Sequence, residues 1–199
     1  LVIENAADPE NGKRFGLRLD FQYGQATETL QGNPANEPRP NIYRNIFQAY
    51  GTYVIPLGSG ITLDFGKFAS SLGIEGNYTK DQMNYSRSYW FDFLPFYHMG
   101  LRANYKLSDK IALNYWIVNG TQQTEPFNGF KDQFFGAAIQ PTKAITWNVN
   151  YYLGQDHPDV IFYANGGAPA GLPTEQGVPF QPIPNPANGK LHIFDSYLN

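Results

Sequence analysis

The chain has 199 residues and a formal net charge of −3, too acidic for a nucleic-acid binder, and it has no cysteine, which excludes disulfides and thiolate metal sites. Charged residues make up only 16% and Phe, Trp and Tyr together also 16%, so polar surface must come from Asn, Gln, Ser, Thr and Gly. No run of about 18 apolar residues exists, which excludes a transmembrane helix, and the opening Leu1–Gly16 lacks a signal-peptide pattern.

Period-two alternation dominates, and it predicts strands. In "RFGLRLDFQYG", Phe15, Leu17, Leu19, Phe21 and Tyr23 oppose Gly16, Arg18, Asp20, Gln22 and Gly24. Residues 43–56 alternate loosely, with Ile46, Tyr50 and Val54 among Gln48 and Thr52. In "GITLDFGKF", Ile61, Leu63 and Phe65 oppose Thr62, Asp64 and Gly66. Residues 95–107 set Tyr97, Met99, Leu101, Ala103, Tyr105 and Leu107 against His98, Gly100, Arg102, Asn104 and Lys106. Further strands follow at 110–119, 132–140 and 145–154, and a last one runs from Lys190 to Asn199, eight in all. Tight turns at 56–60, 107–110 and 140–143 alternate with long polar connections at 26–42, 69–93, 119–131 and 155–189. This is the layout of an all-β, antiparallel up-and-down transmembrane β-barrel, with residues 1–199 as one domain and 155–189 as a long extracellular loop.

The direction of the two faces follows from strand length and aromatic placement. The cleanest strands alternate over nine or more residues, near the roughly 9–11 that cross a bilayer. Tyr23, Trp90, Tyr105, Trp147 and Tyr151 lie near strand ends, where amphipathic rings suit the headgroup level. The apolar face, Tyr97 to Leu107, is therefore expected to meet lipid, and the His98 to Lys106 face to meet water. A soluble or surface β-sandwich that binds carbohydrate through exposed aromatics is the rival from another class. A barrel with a filled, non-conducting lumen is a third reading.

"GKFASSLGIE" at 66–75 and "NYSRSYWFDFLPFYHMGLRANYKLSDKIALNYWIVNG" at 84–120 resemble the OmpL-like β-barrel porin family of bacterial outer membranes. The resemblance is carried by Gly66, Lys67, Phe68, Gly73, Glu75, Asn84 to Ser88, Pro95 to His98, Gly100 and Arg102. It implies a barrel larger than eight strands, of which this chain would be a piece, since a C-terminal aromatic residue is lacking. It also implies passive diffusion of small hydrophilic solutes, no catalysis and no cofactor. The expected partners are outer-membrane lipid and those solutes, with homo-oligomerisation left open.

Arg18, Asp20, Asp64, His98, Arg102, Asn104 and Lys106 fall on polar faces and are the candidate pore-lining residues. Charged rings in a hydrated pore would set ion preference; the plainer reading is salt-bridged packing in a filled barrel. Lys67, Glu75, Lys80, Asp81 and Arg87 are candidates for a loop that constricts the lumen, against the plainer reading of a solvated surface loop. His98, His157 and His192 are too scattered for a metal site, which leaves His98 as a hydrogen-bonded lumen histidine. The "GSG" at 58–60 is a hairpin turn, and no Ser/His/Asp set has motif support.

Overall fold

Each alternating segment forms a strand and pairs antiparallel with its neighbour along the chain. The computed structural model describes residues 1–31, 39–164, 180–184 and 189–199. Nine strands make one sheet: β1 (Val2–Asn5), β2 (Phe15–Phe21), β3 (Ile46–Ile55), β4 (Ile61–Ala69), β5 (Tyr97–Ser108), β6 (Ile111–Val118), β7 (Asp132–Thr142), β8 (Ile145–Gly154) and β11 (Leu191–Leu198). Strands β9 (Val160–Ala164) and β10 (Phe180–Pro184) pair separately. Short helices α1 (Gln25–Gln31), α2 (Pro40–Tyr43) and α3 (Tyr89–Phe93) lie in the long connections. Among the described residues β1 and β11 have no further strand partner, so the sheet is open.

Two expectations change. The sheet has nine strands rather than eight, because Val2–Asn5, too short to show alternation, pairs with β2 from Val2↔Asp20 to Asn5↔Leu17. The Leu1 nitrogen extends this ladder by donating to the Phe21 carbonyl at 2.8 Å, at the long-loop end of the sheet. Within 155–189 the chain also forms a two-stranded ladder, which Pro182 and Pro184 disguised, since proline reads against a strand.

The faces have inverted polarity relative to a water-soluble sheet. Phe15, Leu17, Phe65, Leu101, Leu113, Tyr115, Ile117, Phe135, Trp147 and Tyr151 stand exposed on one side. Asp20, Gln48, Asp64, His98, Asp132, Asn150 and Asp195 are buried on the other. Apolar outside and polar inside is the pattern a lipid-facing barrel wall requires. A bulge at the β2–β3 ladder, where Asp20↔Gln48 is followed by Phe21↔Ile46, turns Phe47 inward beside Gln48, and its ring meets Tyr78 at 5.3 Å. One glycine pair is demanded by close approach: a Cβ on Gly66 would sit 2.2 Å from the Ala49 carbonyl oxygen, and on Gly100 2.2 Å from that of Ile117.

Tyr97 departs from the expected lipid contact. It is 1% exposed, and its hydroxyl donates to the Gln122 carbonyl at 2.9 Å. At the long-loop end the outer face is covered by returning chain, so strand parity there no longer means lipid.

Candidate functional site

Strand register lays the inner side chains out in rows. One row runs Thr52, Asp64, Arg102, Trp116, Phe134, Tyr152 and Ile193 across β3 to β11. The next, toward the short turns, runs Thr62, Asn104, Asn114, Gly136, Asn150 and Asp195. The first changes from charged to aromatic at Arg102; the second carries three neutral amides, Asn104, Asn114 and Asn150, and a single charge, Asp195.

On β2 to β5 the charges pair with each other. Arg18 binds Asp20 at 3.0 Å and reaches Glu4 at 3.6 Å. Asp64 accepts from Arg102 at 2.9 and 2.8 Å and from the Thr52 hydroxyl at 2.6 Å. The Arg102 guanidinium lies 4.5 Å from the Phe68 ring centre and 5.5 Å from that of Tyr50, so it is held by ring faces as well as by its carboxylate. A cavity of about 350 Å³ opens beside these pairs toward the short turns, lined by Arg18, Tyr50, Thr52, Thr62 and Asp64.

On β6 to β11 rings replace ion pairs. Trp116 and Phe134 stack at 3.9 Å and 13°, and Phe68 meets Trp116 edge-on at 5.5 Å. Tyr152 donates to Asp132 at 2.5 Å, and the Gln155 amide donates to the same carboxylate at 3.0 Å.

The connection 70–96 lies across this face. Ser70 and Phe96 close its base with a backbone bond of 3.1 Å. At one side of the sheet the Tyr78 hydroxyl donates to Asp20 of β2, which also accepts from Gln48 at 2.6 Å. At the other side the Gly73 amide donates to Asp195 of β11 at 2.9 Å, and Asn150 bridges Asp195 at 3.0 Å and the Ser71 carbonyl at 3.3 Å. Between these anchors Leu72 and Leu94 enter the aromatic cluster of Phe68, Trp116, Val118, Phe134 and Tyr152. Burial, and the bond to Asp20, push the Tyr78 phenol up to about 12.

A nine-stranded antiparallel wall, apolar outside and polar inside, with a long connection folded over its polar face, is a porin-like arrangement. The family model described as "Putative beta-barrel porin-2, OmpL-like" matches residues 1–185. The chain belongs to this porin family. No curated protein and no solved structure matches the chain.

The residues singled out in the sequence of this OmpL-like chain fall into distinct settings. Arg18, Asp20, Asp64, His98, Arg102, Asn104 and Lys106 share the inner face. Asp20 and His98 are buried there beneath other groups. His98 donates from Nδ1 to the Gly120 carbonyl at 3.1 Å, and its Nε2 lies 3.2 Å from Ser70 Oγ, so it ties the bases of two long loops. Lys106 pairs with Asp109 in the exposed turn at 2.7 Å.

Glu75 and Arg87 brace the inward loop from within. Glu75 accepts from the Ser88 amide at 3.0 Å, and Arg87 donates to the carbonyls of Gly76 and Asn77 at 3.0 and 3.4 Å. Lys80 and Asp81 form an exposed ion pair at 2.7 Å. Lys67 does not belong to the loop. It sits on β4 on the face opposite Phe68, 3% exposed, donating to the Tyr43 carbonyl at 3.3 Å with its ammonium 3.9 Å from the Tyr97 ring centre. The Lys67 side of the strand is the one Phe65 points from, as strand parity requires. Among the described residues no group of three or more His, Asp or Glu is placed to hold a metal.

The sequence reading missed Tyr78, Asn150 and Asp195. The local signal was apolar residues inside the connection, Leu72, Phe91 and Leu94 among them, which mark it as partly buried but not against which face.

Proposed function

We propose that the chain forms wall and constriction of a passive channel in the bacterial outer membrane, for small hydrophilic solutes. The observation that carries this reading is the 70–96 connection, anchored at Asp20 and at Asp195, which lies over the polar face instead of at the rim. Solutes would pass along Arg18, Asp64, Arg102, Asn104 and Lys106, where the cavity beside the ion pairs leaves room for water. Lipid would cover the apolar face, and no cofactor or chemical step is needed. Fixed charges that are already paired would weaken discrimination between ions, as expected of a general pore rather than a dedicated transporter.

The filled, non-conducting barrel is favoured by one feature, the stacked row of Trp116, Phe134 and Tyr152 under Leu72 and Leu94. Planar-bilayer recording of the full-length protein separates the two. Stepwise conductance is expected, with a larger step after the 74–90 segment is shortened to a glycine–serine link. Silence over many insertions would remove the channel. A protein that stays monodisperse without detergent would remove the membrane reading altogether.

A further inference from the structure

The outer face is not evenly filled. An open groove of about 700 Å³ lies on β4 to β7, with Ile61, Ala103, Tyr105, Leu113, Tyr115 and Phe135 in its walls. Each of these four strands is paired on both sides, so the groove belongs to the middle of the wall. Ala103 sits between Leu63 and Tyr115 across the ladder, and its small side chain leaves a floor among larger ones. Tyr115 and Phe135 form one bank, with ring centres 5.0 Å apart, and the Tyr115 hydroxyl donates to Gln133 at 3.1 Å, toward the long loops. Tyr105 forms the other, its hydroxyl directed at the 56–60 turn, where a Cβ on Gly58 would lie 2.6 Å from it.

Below the groove, at the short-turn end, lies a cationic rim. Lys110 and Lys143 are exposed there, and neither has a carboxylate partner among the described residues. Their turns touch, since the Gln140 amide donates to the Lys110 carbonyl at 2.7 Å. The one carboxylate on these turns, Asp109, is already held by Lys106 at 2.7 Å. Between rim and groove runs the row Ile111, Ile139 and Trp147, which ends in an exposed indole, a group that favours the headgroup level.

We infer that this place binds an anionic phospholipid of the periplasmic leaflet, its phosphate on Lys110 and Lys143 and an acyl chain in the groove. Lys110 is three residues from Leu113, about 10 Å along the strand, so a phosphate at the rim puts the start of its acyl chain at the groove. Basic residues close to a bilayer surface gain from anionic lipid, whereas a zwitterionic headgroup brings its own cation to the rim. Lipid tails are as apolar as the wall, so the groove contributes contact and not desolvation. A second copy of the chain fits less well: copies in one membrane stand at the same depth, which would set lysine rim against lysine rim. The inference rests on the membrane reading, with short turns on the periplasmic side, and not on conduction.

The test is native mass spectrometry of the full-length protein, released from detergent with dioleoyl phosphatidylglycerol or dioleoyl phosphatidylcholine. One phosphatidylglycerol is expected to stay bound through activation that strips phosphatidylcholine. Lys110→Gln/Lys143→Gln should weaken its apparent affinity at least about tenfold. Ala103→Phe, which fills the floor with the lysines intact, should also release it, and soluble glycerol 1-phosphate should not compete. Heat-modifiable gel mobility verifies that each variant is folded. Equal retention of the two lipids, displacement by glycerol 1-phosphate, retention untouched by either variant, or a dimer that Ala103→Phe splits would each overturn the assignment. A protein that is monodisperse without detergent loses the membrane reading and the site together. One that needs detergent but shows no lipid preference keeps the barrel and loses the site alone.

Discussion

Across the inner face, strands β2 to β5 meet their polar neighbours as ion pairs, whereas β6 to β11 meet theirs as stacked rings and carboxylates satisfied by neutral donors. The two halves join at Arg102, which belongs to both: its charge is matched by Asp64 and its plane by Phe68, Tyr50 and Trp116. The difference teaches how one wall can be both wet and rigid. Paired charges tolerate water beside them, and the cavity of about 350 Å³ lies on their side. Stacked rings exclude water, and it is over them that Leu72 and Leu94 seat the inward loop. The loop therefore has a dry footing on one half and a polar tether, Tyr78 to Asp20, on the other.

The aromatic half should be the more sensitive to truncation. Trp116→Ala removes the ring that touches Phe68, Phe134 and His98, and leaves a cavity in a layer with no exposed surface to collapse from. A loss of about 3–5 kcal/mol is expected, read as a lower unfolding midpoint in detergent and urea. A cost under about 1 kcal/mol would mean that the rings do not form a packed layer.

The junction comes next. Asp64→Ala leaves the Arg102 charge with ring faces alone, and about 3 kcal/mol should be lost. Replacing both, Asp64→Asn with Arg102→Gln, should cost less than the sum of the single changes, because the stranded charge goes with its partner. Additive losses would show that the two side chains do not act as a pair.

Much of this architecture was legible in the sequence, and the reason is locality. A period of two is written in adjacent residues, so "GITLDFGKF" and "AITWNVNYYLG" reveal strands and faces before any partner is known. Parity also put Arg18, Asp64, Arg102, Asn104 and Lys106 on one side. The loop path was not legible, because it depends on contacts between residues far apart in sequence: Tyr78 is 58 residues from Asp20, and Gly73 is 122 from Asp195. No local pattern encodes such meetings. Lys67 lies near a loop boundary in the sequence, but the parity it shares with Phe65 turns it to the face opposite the inward loop. Tyr97 obeys parity, yet Gln122 of another long connection covers it.

A smaller effect is expected at the dry end of the loop. Asp195→Ala takes the acceptor from the Gly73 amide and from Asn150, both buried or half-buried, at a cost of about 1–3 kcal/mol. The readout is local: trypsin should cleave at Lys80 or Arg87 several times faster, while the strands keep their heat-modifiable mobility. Unchanged cleavage would mean that Leu72 and Leu94 hold the loop without this tether.

The smallest effect lies at the wet end and depends on pH. An unfolded tyrosine titrates near 10, and burial with the bond to Asp20 holds the Tyr78 phenol up to about 12. The folded protein thus binds that proton more tightly than the unfolded chain. Its contribution is fully present below about pH 10 and is lost as pH rises through about 12. Tyrosinate absorbance of the wild type minus that of Tyr78→Phe should isolate one phenol with a midpoint well above 10. The substitution itself should cost about 1.5 kcal/mol at neutral pH, the low end for a hydrogen bond to a charged acceptor, because Asp20 keeps two other donors, Arg18 and Gln48. An ordinary midpoint near 10 would detach Tyr78 from Asp20 and leave the loop held only over the rings. The contrast between the two halves would then be one of anchorage as well as of chemistry.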